Sequence, residues 1–267
     1  MRTSPKRASR TPSPRTRAPF VRAIRLRRDS VPDFDTYPFA IPAIGELTEL
    51  PLTSPVTFFV GENGSGKSTL LEAIAVAAGF NAEGGTKNFN FATVNAHSTL
   101  NEHLTLVRNS DRERDGFFLR AESFFNVATE LERLNEVDGG AYRSYGGRSL
   151  HVRSHGESLL AMMRHRLGGK SLFLFDEPEI ALSPLRQLSA MALMRKLELR
   201  GCQFIIATHS PIIMAYPGAA ILLFGDHGVR PVAYEDTEHF TVTSDFLADP
   251  ERMLEVLFDG LDAEDED

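Results

Sequence analysis

The densest chemistry in the chain lies in one short stretch. Gly61, Glu62, Asn63, Gly64, Ser65, Gly66, Lys67, Ser68 and Thr69 read GENGSGKST, a G-x-x-x-x-G-K-S pattern. Glycines at this spacing let backbone N–H groups turn inward on phosphate oxygens, where a Cβ would collide. Lys67 is long enough to reach β and γ phosphates, and the Ser68 hydroxyl is a hard oxygen ligand suited to Mg²⁺. A helix that begins here adds its positive dipole end. Further on, Leu172-Phe173-Leu174-Phe175 runs straight into Asp176, Glu177 and Pro178. Acids at the C-terminal end of a buried parallel strand face the crevice where ligands bind. There Asp176 is suited to hold Mg²⁺ beside Ser68, and Glu177 to orient or deprotonate an attacking water. A third stretch, Phe204 to Pro211, reads FIIATHSP. It places His209 one strand–helix–strand unit, 32 residues, after Glu177. A neighbouring strand would bring His209 to the same edge, where it can donate a hydrogen bond to a γ phosphate. The catalytic candidates are therefore Lys67, Glu177 and His209.

These residues need particular elements around them. Val56 to Val60 is an apolar strand, and Leu70, Leu71, Ile74 and Ala78 share one side of a following helix. Leu172–Phe175 and Phe204–Ala207 are uninterrupted apolar runs, which suit parallel strands covered on both faces. Between them Ser183-Pro184 opens a helix and Gly201 closes it. Leu185, Leu188, Met191, Met194 and Leu197 are expected on its core side. Phe20–Arg28 and Glu46–Leu52 alternate, as half-exposed antiparallel strands do. Ile221–Phe224 and Val229–Val232 flank a glycine-bounded turn and predict a hairpin. Phe117–Arg120 is strand-like, Glu122–Asn135 and Ser154–Leu167 have helical spacing, and Asp138–Gly147 is a Gly-rich loop. Pro250–Leu257 is the last expected helix, and residues 81–110 are polar and yield no clear element. The expected fold is α/β: a mostly parallel central sheet flanked by helices, an N-terminal antiparallel β layer, and a small helical insertion over about 97–167.

Length and charge bound the function. At 267 residues with 42% hydrophobic content, the chain can bury one large core. Residues 1–28 hold ten Lys and Arg and no acid; the remainder holds 19 bases against 36 acids, a net charge of −17. The body at 19–258 is therefore acidic. That disfavours a broad duplex-DNA footprint, which needs a basic face. Residues 1–18, rich in Arg, Ser, Thr and Pro, are expected to be a disordered basic arm, and 259–267 an acidic tail. A single cysteine, Cys202, suits a reducing compartment, and no apolar run is long enough to span a membrane; the expected location is the cytoplasm. His97, His103, His151 and His165 have no metal-binding spacing.

Taken in order, GENGSGKST, LFLFDEPE and ATHSP resemble the ATP-binding-cassette class of P-loop ATPases. More narrowly, the set is similar to small soluble AAA-type, cassette-like ATPases, relatives of structural-maintenance-of-chromosomes heads and overcoming-lysogenization-defect nucleases. The resemblance implies ATP and Mg²⁺ as ligands, with Asp176, Ser68 and Glu122 on the metal side. Glu122 stands where the family carries a glutamine, and it reads equally as an ordinary helix N-terminal acid. The family signature, LSGGQ, falls at Ser154, His155, Gly156 and Glu157; Ser154 and Gly156 match it. In the family this segment contacts the γ phosphate on the opposite subunit, which implies an ATP-sandwich homodimer. Ser154-x-x-Glu157 is equally a helix capping box. Ser183 replaces an expected Asp, and Phe34, Tyr37 and Phe39 are candidates to stack on adenine. The function implied is Mg²⁺-dependent ATP hydrolysis. The alternatives are a DNA-maintenance head, a transporter's ATP-binding subunit, and an ATP-dependent binding switch for another protein. Only 87 residues separate Lys67 from Ser154, with no heptad run, which disfavours the DNA head.

Overall fold

The computed structural model describes residues 18–87, 98–120, 155–165 and 169–264. Glu122, Ser154, the helix expected at 122–135, the Gly-rich loop at 138–147 and nearly all of the basic arm lie outside the described residues. Among the described residues the strands form two sheets. Six of them are β1 (Val21–Leu26), β2 (Glu49–Pro51), β3 (Val56–Val60), β4 (Leu104–Arg108), β5 (Asp115–Arg120) and β6 (Ser171–Asp176). The others are β7 (Gln203–Ala207), β8 (Ala220–Gly225) and β9 (Gly228–Pro231). The larger sheet has the order β5-β6-β7-β3-β8-β9. Its first five strands are parallel, and β9 returns antiparallel to β8 through the expected hairpin. The smaller sheet, β2-β1-β4, is antiparallel.

The apolar runs dictate this arrangement. Every residue of β3 and β7 is buried, as is β6 up to Asp176, so each must be covered on both faces. Side chains alternate between two cores. On one face, Phe58, Phe173, Phe204 and Ile206 pack with α4 (His155–His165) and α5 (Pro184–Glu198). On the other, Phe59, Leu174 and Ile205 pack with α2 (Lys67–Ala77) and the smaller sheet. Phe173 and Phe204 stack across β6 and β7 with ring centroids 4.6 Å apart. The short helices α1 (Pro42–Gly45), α3 (Leu100–His103) and α6 (Pro211–Met214) fill connections.

Three expectations are corrected. The polar stretch at 81–110 contains β4, whose Leu104 and Leu106 pair with Leu26 and Ile24 of β1. The smaller sheet is therefore not built from the N-terminal segment alone. The buried face of α5 is Gln187, Ala190, Met194 and Leu197, whereas Leu185 and Leu188 are 74% and 54% exposed. Buried Gln187 turns that face, because its side chain bridges the Leu182 carbonyl and the Ser210 hydroxyl. Finally, the C-terminal part holds two helices, α7 (Glu238–Ala248) and α8 (Pro250–Glu264), so helix replaces tail up to residue 264.

One buried polar residue ties the two sheets together. Gln203, at the start of β7, accepts the Val21 N–H at 2.9 Å and donates to the Val21 carbonyl at 2.9 Å. Replacing Gln203 with Ala would leave both backbone groups of Val21 buried without partners, at about 1–3 kcal/mol each. Urea unfolding of Gln203→Ala should show a loss of roughly 3 kcal/mol or more; a loss near that of a surface substitution would mean that the sheets dock without this bridge.

Candidate functional site

The site forms where β3, β6 and β7 end side by side in the larger sheet. After Val60 the chain enters the glycine loop. Gly61, Gly64 and Gly66 take φ values of +137°, +78° and +97°, a region closed to most side chains. A Cβ on Gly61 would stand 2.3 Å from the Phe224 carbonyl oxygen of β8, so this glycine lets the loop leave the sheet. Gly64 faces open space, and Glu62, Asn63 and Gly64 are exposed. Gly66 caps α2, leaving the first N–H groups of that helix directed at the loop.

Lys67 is buried at 4% exposure and folds back over the loop. Its Nζ donates to the carbonyls of Gly61 at 2.8 Å and Glu62 at 2.7 Å. Burial lowers its pKa, opposed by Glu177, Asp176 and Glu179. The Ser68 Oγ donates to Asp176 Oδ1 at 2.8 Å, although one whole strand, β7, separates their strands. A hydroxyl and a carboxylate this close form the hard-oxygen donor set that Mg²⁺ requires. Ser65 Oγ is buried with no hydrogen-bond partner, a polar atom facing the loop interior that an oxyanion ligand would satisfy.

The acidic end of β6 and the histidine end of β7 meet here. Asp176 aligns with Ala207 of β7 and with Arg120 of β5. Glu177 adopts φ 48° and ψ 54°, left-handed for a non-glycine residue, and its N–H donates to the Ala207 carbonyl at 2.9 Å. That strain projects the Glu177 carboxylate toward His209, whose Nε2 lies 3.7 Å from Glu177 Oε1. Asp176, Glu177 and His209 thus lie at one edge of the sheet with Lys67 and Ser68.

Sequence reasoning missed three further residues. Glu179, in the 3₁₀ turn Pro178–Ala181, accepts the His209 backbone N–H through Oε1. Burial raises its pKa, opposed by the hydrogen bonds from His209 and Thr208. Arg120 forms an ion pair with Glu72 of α2 at 2.7 Å beside the loop helix. His239, on the first turn of α7, places Nε2 at 2.9 Å from His209 Nδ1. The only sequence signal for Glu179 is the third acid of DEPE; nothing local marks His239. The His–His contact couples the tautomers of the two rings. If His239 Nε2–H donates to His209 Nδ1, His209 must carry its proton on Nε2, which is buried without a partner. His209 then presents a donor into the site.

The other sequence candidates divide. Gly156 sits on α4 against the Ala181 carbonyl, where a Cβ would stand 2.4 Å away. Glu157 pairs with Arg186 of α5 at 2.9 Å, so this helix is locked to the segment after Glu177. His155 begins α4, and its side chain lies outside the described residues. Ser183 is the N-cap residue of α5, without a side-chain cap bond. Of the aromatic candidates, Phe39 is 3% exposed and Phe34 stacks under the Arg28 guanidinium. Tyr37 is 68% exposed, and its hydroxyl lies 3.4 Å from Thr69 Oγ1 of the glycine loop.

Two sequence-family models match the chain. One, described as "AAA domain", covers residues 39–154. The other, described as "AAA domain, putative AbiEii toxin, Type IV TA system", covers residues 158–215. No curated protein matches. Solved structures resemble the fold at low identity. CbiO1 of Clostridium perfringens, part of a cbiONQ ABC transporter complex, is 17% identical over 79% of this chain and 90% of its own, with a TM-score of 0.41. The SMC head domain of Thermotoga maritima is 14% identical over 79% and 98%, with a TM-score of 0.40. A dimeric post-hydrolysis ATP-binding cassette with ADP and phosphate is 16% identical over 72% and 90%, with a TM-score of 0.41. Nothing about activity follows from likenesses this distant.

Burial, Lys67 and His239 together lower the His209 pKa to about 4, and burial likewise lowers that of His239. Between about pH 6.5 and 4 the unfolded chain therefore binds protons that folded His209 refuses, so folding stability falls as pH falls through this window. Glu179 acts with the opposite sign, since its raised pKa favours the protonated folded form. Thermal unfolding of His209→Gln should show a flatter decline in melting temperature over the same range; an unchanged slope would place the titration elsewhere.

Proposed function

We propose that the chain is a P-loop NTPase of the AAA type that binds ATP with Mg²⁺ and hydrolyses it, working as an ATP-gated homodimer. The observation that carries this reading is the 2.8 Å contact between Ser68 Oγ and Asp176 Oδ1 beneath the glycine loop. Ser68 and Asp176 would hold Mg²⁺, which when bound neutralises charge on the β and γ phosphates. Lys67 exchanges its two carbonyl partners for phosphate oxygens, and the N–H groups of residues 61–69 supply the remaining donors. Glu177 orients the attacking water and accepts its proton. His209 donates from Nε2 to the γ phosphate, held in that tautomer by His239 and in position by Glu179. Tyr37, exposed and with its hydroxyl near Thr69, would be the aromatic that covers the base. Glu122, outside the described residues, would complete the metal side.

The dimer reading rests on the surface around Gly156. Ile180, Leu185 and Leu188 are 68%, 74% and 54% exposed within residues 180–188, beside the helix that starts at His155. A second copy that brought Ser154, His155, Gly156 and Glu157 to the phosphates would also cover these side chains. No described helix is long and apolar enough to cross a membrane, and a cytoplasmic setting suits the buried free Cys202. A DNA-binding role gains little from the basic residues near β1. Arg25 is paired with Glu49, Arg27 donates to the Glu102 carbonyl, and Arg28 to the Gly45 carbonyl.

Glu177→Gln should lower ATP turnover by about 100-fold or more while leaving nucleotide affinity within a few-fold. Lys67→Ala should weaken nucleotide binding itself. Phosphate release and a fluorescent ATP analogue measure the two separately. Undiminished turnover in Glu177→Gln would remove Glu177 from the chemistry. In a second pair, Glu179→Gln should keep most activity because it retains an acceptor for the His209 N–H, whereas Glu179→Ala should lower kcat with little change in binding. Equal effects of the two would deny Glu179 this positioning role.

A further inference from the structure

The helices α7 and α8 do not behave as packing elements. Val242 and Phe246 on α7, and Leu254, Leu257 and Phe258 on α8, are 38–58% exposed. Leu254 and Phe258 stand one helical turn apart, as do Val242 and Phe246, so each helix carries an apolar stripe. Every described side chain of α8 is exposed. A helix of this length is marginal alone in water, and an apolar face this large marks a contact surface. The start of α7 is nevertheless firmly rooted. Thr237 caps α7 through the Phe240 N–H, Tyr234 packs on Phe240 and donates to the Pro211 carbonyl, and His239 meets His209.

Charge selects what can cover this face. Residues 238–259 hold six acids, Glu238, Asp245, Asp249, Glu251, Glu255 and Asp259, against one base, Arg252, a net of −5. All six acids are exposed and border the apolar stripes. A second copy docked here would set −5 against −5, and an anionic lipid surface would be repelled equally. The basic segment at residues 1–18 matches the charge but offers almost no apolar side chains. We propose that α7 and α8 form a docking surface for a basic amphipathic helix of another protein, its apolar side on Phe246, Leu254, Leu257 and Phe258 and its Lys or Arg side on the bordering acids. This surface stands independently of ATP hydrolysis, so a chain that failed to turn over ATP would still bind such a helix.

The test uses the full chain and a fluorescein-labelled synthetic helix of leucine and lysine, with a leucine–glutamate helix as its control. Fluorescence anisotropy should report saturable binding of the lysine peptide and none of the glutamate peptide. Leu257→Asp with Phe258→Asp removes apolar area and adds negative charge, and should weaken binding by about tenfold or more. Glu251→Lys with Glu255→Lys, which keeps the apolar face, should do the same. Both variants should bind a fluorescent ATP analogue as the parent does, which separates a lost surface from a lost fold. Lysine-peptide binding indifferent to Leu257→Asp with Phe258→Asp would overturn the proposal, as would equal binding of both peptides. It would also be overturned by self-association that the same substitutions abolish, or by uptake onto phosphatidylserine vesicles, since either would show a different occupant.

Discussion

A single hydrogen bond between a helix start and a distant strand end organises the site. Ser68 belongs to the first turn of α2, past the glycine loop that follows β3, and Asp176 to the last position of β6, with β7 between the two strands, yet their side-chain oxygens meet at 2.8 Å. The contact requires β3, β7 and β6 to run parallel and to end at one level. The register provides this, with Phe59 opposite Ala207 and Ala207 opposite Asp176. It also requires the glycine loop to curl back over the end of β7. The positive φ angles of Gly61, Gly64 and Gly66 allow that path, and Lys67 holds it closed through the loop carbonyls. Because β7 lies beneath the contact, His209, two residues past its end, is delivered to the same place.

Around this contact Glu177, Glu179, His209 and His239 form a chain of dependence. Glu177 is held left-handed by its N–H bond to β7, Glu179 holds the His209 backbone, and His239 fixes the His209 ring. Each bond ties the segment after one strand to β7 or to the segment that follows it. Movement of any of them shifts the Glu177 or His209 side chain. Gly156 extends the chain outward, since α4 lies close enough to the Ala181 carbonyl to exclude any Cβ. The segment resembling a family signature is therefore in contact with the turn that carries Glu179.

The central sheet, and the strand ends where the candidate residues stand, were legible in the sequence because both are local patterns. Four apolar residues before Asp176 and a buried run before His209 name their strands without help from distant residues. What escaped depends on pairing across long separations. β4 lies in a polar stretch and becomes a strand because β1, about eighty residues earlier, offers it a partner. Gln203 reads as an ordinary polar residue and is the bridge between the sheets. His239 lies 30 residues from His209, and nothing local in the sequence marks it. The stripe on α5 was misread because Gln187, a polar residue with two buried partners, displaced Leu185 and Leu188 from the core. Their exposure is consistent with a surface that a second copy covers.

The measurement that bears most directly on the account is the solution mass of Glu177→Gln, by light scattering, with and without ATP and Mg²⁺. A slowed chain should accumulate the nucleotide-bound state, so the account predicts a monomer that becomes a dimer only when both are present. Adding Ser154→Arg should return it to monomer. A mass that stays monomeric while ATP is demonstrably bound would contradict the account, leaving Gly156 and Glu157 as parts of a locally packed helix and no more.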